Sequence, residues 1–207
     1  MKKGLALVLF GTLLLTSCTT DSFDTIEQQN ISDQDVSALI NKLVQKHQAQ
    51  NAGLHKKETG TLQNVINQIE TTAMQDADFL QLVTTNYTTP QAVDIEAVLA
   101  DSDLVLANLN VTTTAKSYIT TILSINVLLD LNNIAQTIAN HSQLTTAEKN
   151  MLLEVIDLHQ TYLEGNGSGD DDIWYKKGII AYVQGATQTK ANAVLNAVII
   201  KTIENQN

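Results

Sequence analysis

From Thr61 to Glu164 the chain runs 104 residues without a glycine, and Pro90 is its only proline. A sheet protein needs turn residues every few positions, so so long an unpunctuated stretch disfavours an all-β fold and points to helices. Aromatic residues make up only 4% of the chain. Any core must therefore be built from Leu, Ile, Val and Ala.

The apolar periodicity agrees. Val36, Leu39, Ile40, Leu43, Val44 and His47 follow helical spacing, with Ser32 placed to cap them. Leu62, Val65, Ile66, Ile69 and Ala73 repeat the pattern, and Asp78 can restart a helix through Tyr87. Thr89 and Pro90 suit an N-cap followed by proline at the first helical position. That helix is expected to run toward Leu109, with a possible break at residues 101–103. Residues 114–140 read as the longest apolar helix, carrying Tyr118, Ile119, Ile122, Leu123, Ile125, Leu129, Ile134 and Ile138. Its wide apolar face predicts a central position. Thr145 and Glu148 form a capping box ahead of Met151, Leu152, Val155, Leu158, Tyr162 and Leu163. Residues 173–204 read as one last helix. On it Ala181, Gly185, Thr189, Ala193 and Ala197 recur every four positions, a small-residue stripe that permits close helix approach. The expected fold is all-α: a single bundle of five to seven helices over residues 32–207.

The first residues carry a different message. Met1, Lys2 and Lys3 form a basic start, and residues 4–15 an apolar run too short to span a bilayer comfortably. Leu15-Thr16-Ser17-Cys18 follows, and this resembles the lipobox of bacterial lipoproteins. The resemblance implies that residues 1–17 are a cleaved signal peptide and that Cys18 carries acyl chains. It also implies a cell-envelope protein, most simply of the outer membrane, whose partner is the membrane through that anchor. Several buried acyl chains, at roughly 0.8 kcal/mol per methylene, make release improbable. Residues 18–31 read as a solvated tether. Within it Thr19-Thr20-Asp21-Ser22-Phe23-Asp24 resembles the acidic export tag of flavobacterial surface lipoproteins. Asp24-Thr25-Ile26 matches the short O-glycosylation motif of the same group.

Cys18 is the only cysteine. Once it is acylated, disulfides, thiol catalysis and cysteine metal sites are excluded. All 12 basic residues are Lys, against 22 acidic ones. The acidity and the missing Arg forks argue against nucleic acid and phosphate ligands.

Residues 165–172 are the one low-complexity segment of the domain. Glu164, Asn166, Ser168, Asp170 and Asp172 sit at alternate positions like the ligands of a calcium loop. The twelfth position, which needs a bidentate Glu, is instead Tyr175. A turn whose Asp run favours the next helix N-terminus is the simpler reading. The histidines give no catalytic pattern. His47 continues an apolar face, His55 sits among lysines, His141 follows a helix end, and His159 neighbours Glu154 and Asp157 without metal-ligand spacing. No phosphate loop or nucleophile elbow occurs. The sequence thus predicts no cofactor, metal or catalytic residue. It suggests a lipid-anchored binding or scaffolding module whose partner beyond the membrane is another envelope protein. The alternative is an exported effector whose helix 173–204 acts on membranes or self-associates.

Overall fold

The computed structural model describes residues 35–51, 61–165 and 171–205, with the side chains of 171–174 excepted. Those residues form ten helices and no strand: α1 (Val36–Asn51), α2 (Leu62–Ala73), α3 (Ala77–Leu80), α4 (Ala92–Ala100), α5 (Ser102–Asn108), α6 (Thr113–Ser124), α7 (Leu128–Asn140), α8 (Thr146–Glu164), α9 (Asp171–Ala186) and α10 (Lys190–Glu204).

Short polar side chains set many of the boundaries, because each satisfies backbone N–H groups that a helix start leaves unpaired. Asp35 accepts from Ala38 N–H at 3.0 Å and opens α1; the sequence-based candidate Ser32 lies outside the described residues. Asp76, Asp101, Thr112 and Thr189 cap α3, α5, α6 and α10 in the same way. The capping box at Thr145 and Glu148 opens α8 as expected. Thr89 does not cap: its hydroxyl donates to Glu70 at 2.9 Å. The first N–H of α4, on Ala92, is satisfied instead by the Gln63 side chain of α2 at 2.8 Å.

Ten helices replace the expected five to seven because continuous apolar patterns hide interruptions. Residues 81–91 hold turns rather than a helix through Tyr87, and the stretch toward Leu109 does break, at Asp101. The expected helix 114–140 is split at residues 125–127, where Ile125 and Val127 take extended backbone. Both are β-branched, a modest disfavour for helix, and the Ile125 carbonyl is held from outside by His159. The expected helix 173–204 turns back on itself at residues 187–189. There the small-residue stripe folds into a hairpin, α9 against α10.

That hairpin, not the 114–140 segment, is the centre of the described helices. Eleven of the fifteen α10 residues are buried, and α10 packs against α9, α1, α2 and α4. α7, by contrast, rests chiefly on α8 and buries only Leu131 and Ile138. The contacts sort the helix ends into two poles. At one lie the 125–127 break, the C-terminal half of α8, the start of α9 and the end of α10. They are linked by His159 to Ile125, Lys176 to Asp103 at 2.7 Å, Lys177 to Glu204 at 3.4 Å, and Lys201 to Asn41 at 2.6 Å. At the other lie the start of α6, the start of α8 and the α9–α10 turn. Glu148 binds Thr112 N–H there, and the Asn192 amide binds the Thr88 carbonyl at 2.7 Å.

Candidate functional site

The chemically capable side chains concentrate on α8. Glu154 faces the hairpin, where it accepts from the Tyr182 hydroxyl at 2.6 Å and pairs with Lys190. Tyr182 is fully buried, and burial reinforced by the Glu154 charge drives its pKa well upward, so it stays a neutral donor. One turn on, His159 is 2% exposed. Its Nε2 lies 2.6 Å from the Ile125 carbonyl and its Nδ1 2.6 Å from the Tyr175 hydroxyl. A carbonyl can only accept, so Nε2 carries the proton and Nδ1 accepts from Tyr175. Burial lowers the His159 pKa, with the Ile125 carbonyl opposing, which favours this neutral ring. Tyr162 stacks on Tyr175 at 3.9 Å between centroids and completes the cluster.

These groups work as joints between helices. Both His159 nitrogens are engaged, and neither Glu154 nor Asp157 is among their hydrogen-bond partners. Partial desolvation, and then the Glu154 and Asp35 charges, push the Asp157 carboxyl upward. Glu148 makes a third joint: it accepts from the backbone N–H of Thr112 at 2.8 Å and of Thr145 at 3.0 Å. Burial opposes ionisation there, but these donors outweigh it and lower the Glu148 pKa. Glu148→Ala, which leaves two part-buried N–H groups unpaired and removes a cap, is expected to cost about 2 kcal/mol. Urea unfolding checks this; a change below about 0.5 kcal/mol, the range of an ordinary surface substitution, would show the joint to be idle.

The other sequence candidates are dispersed. Leu15, Thr16, Ser17 and Cys18 lie outside the described residues, as do His55, Asn166, Ser168 and Asp170. Asp172 falls in α9, its side chain beyond description. Glu164 accepts from Gln160 at 2.9 Å. Among the described residues no group of three or more His, Cys, Asp or Glu is placed to hold a metal ion, and no helix is long and apolar enough to cross a membrane. His47 is buried on the α1 core face as its spacing predicts. His141 closes α7 and meets Tyr118 edge-on at 5.6 Å.

Two concave surfaces among the described residues bear on binding. An open groove of about 810 Å³ runs along the C-terminal half of α7, lined by Asn133, Gln136, Thr137, Asn140, His141 and Gln143. No lysine or carboxylate lines it, although the chain is strongly charged. A second, about 520 Å³, lies at the other pole beside Val111, Glu148, Met151 and Ala186.

No protein-family model, no curated protein and no solved structure matches this chain. The sequence marks Glu154 only as a neighbour of His159, and Tyr175 only as a departure from a calcium loop. A usable signal was present: Glu154 lies three and five residues from Asp157 and His159, and a helix that repeats polar groups beside its apolar stripe needs partners for them.

Proposed function

We propose that the chain is a lipid-anchored protein of the cell envelope that works by binding rather than by chemistry. A signal peptide ending before Cys18 and an acyl-bearing tether would hold the helical bundle at a membrane. The observation that supports binding most directly is the form of α7. It is an outboard helix, little used in the core, whose C-terminal half presents an amide-lined groove without lysine or carboxylate. Such groups both donate and accept hydrogen bonds, the equipment of a recognition surface. The ionisable groups with strongly altered environments are engaged in joints, which further favours a binding reading over catalysis.

The alternative, a membrane-active or self-associating helix 173–204, requires pulling α10 from its neighbours. Val194, Leu195, Val198, Ile199 and Ile200 are all buried. Exposing five such side chains costs on the order of 10 kcal/mol. The binding reading is therefore preferred.

A photo-crosslinking residue placed at Gln136 in cells tests it, with the same residue at the exposed Gln68 of α2 as control. A discrete adduct from position 136 alone is expected. No adduct from 136, or the same one from both sites, would remove the groove from consideration.

A further inference from the structure

The hydrogen bonds along the α7 groove narrow the chemistry of its ligand. Asn133, Gln136, Thr137 and Asn140 are exposed and share one helix face. The Thr137 hydroxyl donates to the Asn133 carbonyl and the Asn140 amide to the Gln136 carbonyl, both at 2.9 Å. Each of these side chains keeps its oxygen able to accept. The side-chain amides of Asn133 and Gln136 have no hydrogen-bond partner among the described residues, so each offers a donor beside an acceptor. At the end of the stripe His141 Nδ1 accepts from the Gln143 backbone N–H at 3.2 Å, which puts the ring proton on Nε2 as a further donor. Tyr118 meets the same ring edge-on at 5.6 Å. The His141 ring is thus oriented before any ligand arrives, which lowers the cost of binding.

The lining is as selective in what it omits. Among the described residues none that lines the groove is Leu, Ile, Val, Met or Phe, and none is a lysine or a carboxylate. Peptide segments are held mainly by apolar and aromatic side chains seated in pockets, and this groove offers no such pocket. A phosphate, sulfate or carboxylate on the ligand would lack a cation to meet it, on a chain of acidic composition. A neutral sugar satisfies both conditions. Its vicinal hydroxyls each donate and accept, as the paired N–H and C=O of a side-chain amide do. The stripe also has a matching repeat. Successive helical turns lie about 5.4 Å apart, close to the length of one pyranose in a chain, so the two turns from Asn133 to Asn140 face two adjoining sugars.

We propose that the α7 groove binds a neutral oligosaccharide. Its hydroxyls bond to the Asn133 and Gln136 amides, the Thr137 and Asn140 oxygens and His141 Nε2. This names a ligand class for the binding reading above and rests on it. Each such bond replaces one to water and contributes modestly, so affinity grows with the number of sugars engaged along the stripe.

The test applies the full-length protein, in a detergent without a sugar headgroup, to an array of immobilised oligosaccharides. The array carries neutral gluco-, manno-, galacto- and xylo-oligosaccharides beside uronate and sulfated ones. Retention on at least one neutral member is expected, unchanged between about 0.05 and 0.5 M salt. Asn133→Ala and Gln136→Ala are each expected to weaken it about three- to tenfold. Gln68→Ala, on the exposed face of α2, should leave it unchanged. Both groove positions are exposed on a helix and alanine is the best helix former, so these variants fold. Retention that falls steeply with salt, that occurs on uronate or sulfated members alone, or that ignores both groove variants would overturn the proposal. An array with no retention would also overturn it, and the crosslinker at Gln136 then separates the two readings. A protease-sensitive adduct from position 136 would assign the groove to a protein partner and leave the binding reading standing. No adduct there would remove both.

Discussion

Gly185→Ala is expected to destabilise the protein by about 3 kcal/mol or more, through a single added methyl group. A Cβ at this position would lie 2.4 Å from the carbonyl carbon and oxygen of Asn192 and 2.5 Å from the Ala193 nitrogen. Those are backbone atoms of α10, not the tips of side chains that can swing aside. Relief requires moving α9 away from α10 along the most buried contact in the molecule. It also disturbs the Thr189 cap and the Asn192 bond to Thr88, each contributing about 1 kcal/mol. The usual gain from removing a helical glycine, about 0.5–1 kcal/mol, is too small to offset this. Gly165→Ala is the internal control. Its Cβ would meet only the Thr161 and Tyr162 carbonyls, at 3.4 and 3.6 Å, and a change below about 0.5 kcal/mol is expected, as for ordinary surface substitutions. Urea midpoints measure both. If Gly185→Ala unfolds within about 1 kcal/mol of the wild type, the hairpin is not the close-packed centre described above.

The same glycine shows how far the sequence could be read. Its four-residue spacing with Ala181, Thr189, Ala193 and Ala197 announced close packing, and the structure has it. What periodicity could not reveal is that the stripe closes on itself, because a helix and a hairpin of two helices carry the same apolar repeat. The distinction lies in Thr189, whose side chain can either sit on a helix face or end one. Thr145 with Glu148 was legible because the capping box is encoded by adjacent residues. Asp35, Gln63 and His159 were harder. Gln63 caps a helix 29 residues away and His159 holds a carbonyl 34 residues away. Such a bond overrides local propensity only once the tertiary fold exists. The misplacement of 114–140 has the same origin: its apolar residues suggested a centre, but Val127, Leu128 and Leu129 face outward. Hydrophobicity states that a surface needs covering and not by what. The α7 groove was illegible for a simpler reason, since Asn, Gln and Thr on an exposed helix face carry no pattern that separates recognition from solvation.

Replacing His159 is expected to change the pH dependence of stability as well as its size. In the folded protein His159 and His47 are buried, at 2% and 3% exposure, and burial depresses both pKa values below the usual 6.5. The unfolded chain therefore binds more protons than the folded one once the pH drops beneath about 6.5. Their contribution is fully present above that value and is lost as the pH falls toward the folded pKa values. Each group can add a slope of up to about 1.4 kcal/mol per pH unit, so the pair can approach about 2.7. His159→Leu leaves the Tyr175 hydroxyl and Ile125 carbonyl without this partner, at a cost of about 2–4 kcal/mol at pH 8. It also removes one of the two titrations, so the slope between pH 6.5 and 5 should fall by about half. The carboxylates act lower. Asp76 and Glu148, held below their usual values mainly by their hydrogen bonds and, for Asp76, by Lys42, lose their contribution only as the pH passes beneath the ordinary carboxylate range. Urea unfolding of wild type and variant at half-unit steps from pH 8 to 5 separates the two effects. A variant that is weaker at pH 8 yet keeps the full wild-type slope would show that His159 titrates alike in both states, and that its joint with Tyr175 and Ile125 survives protonation.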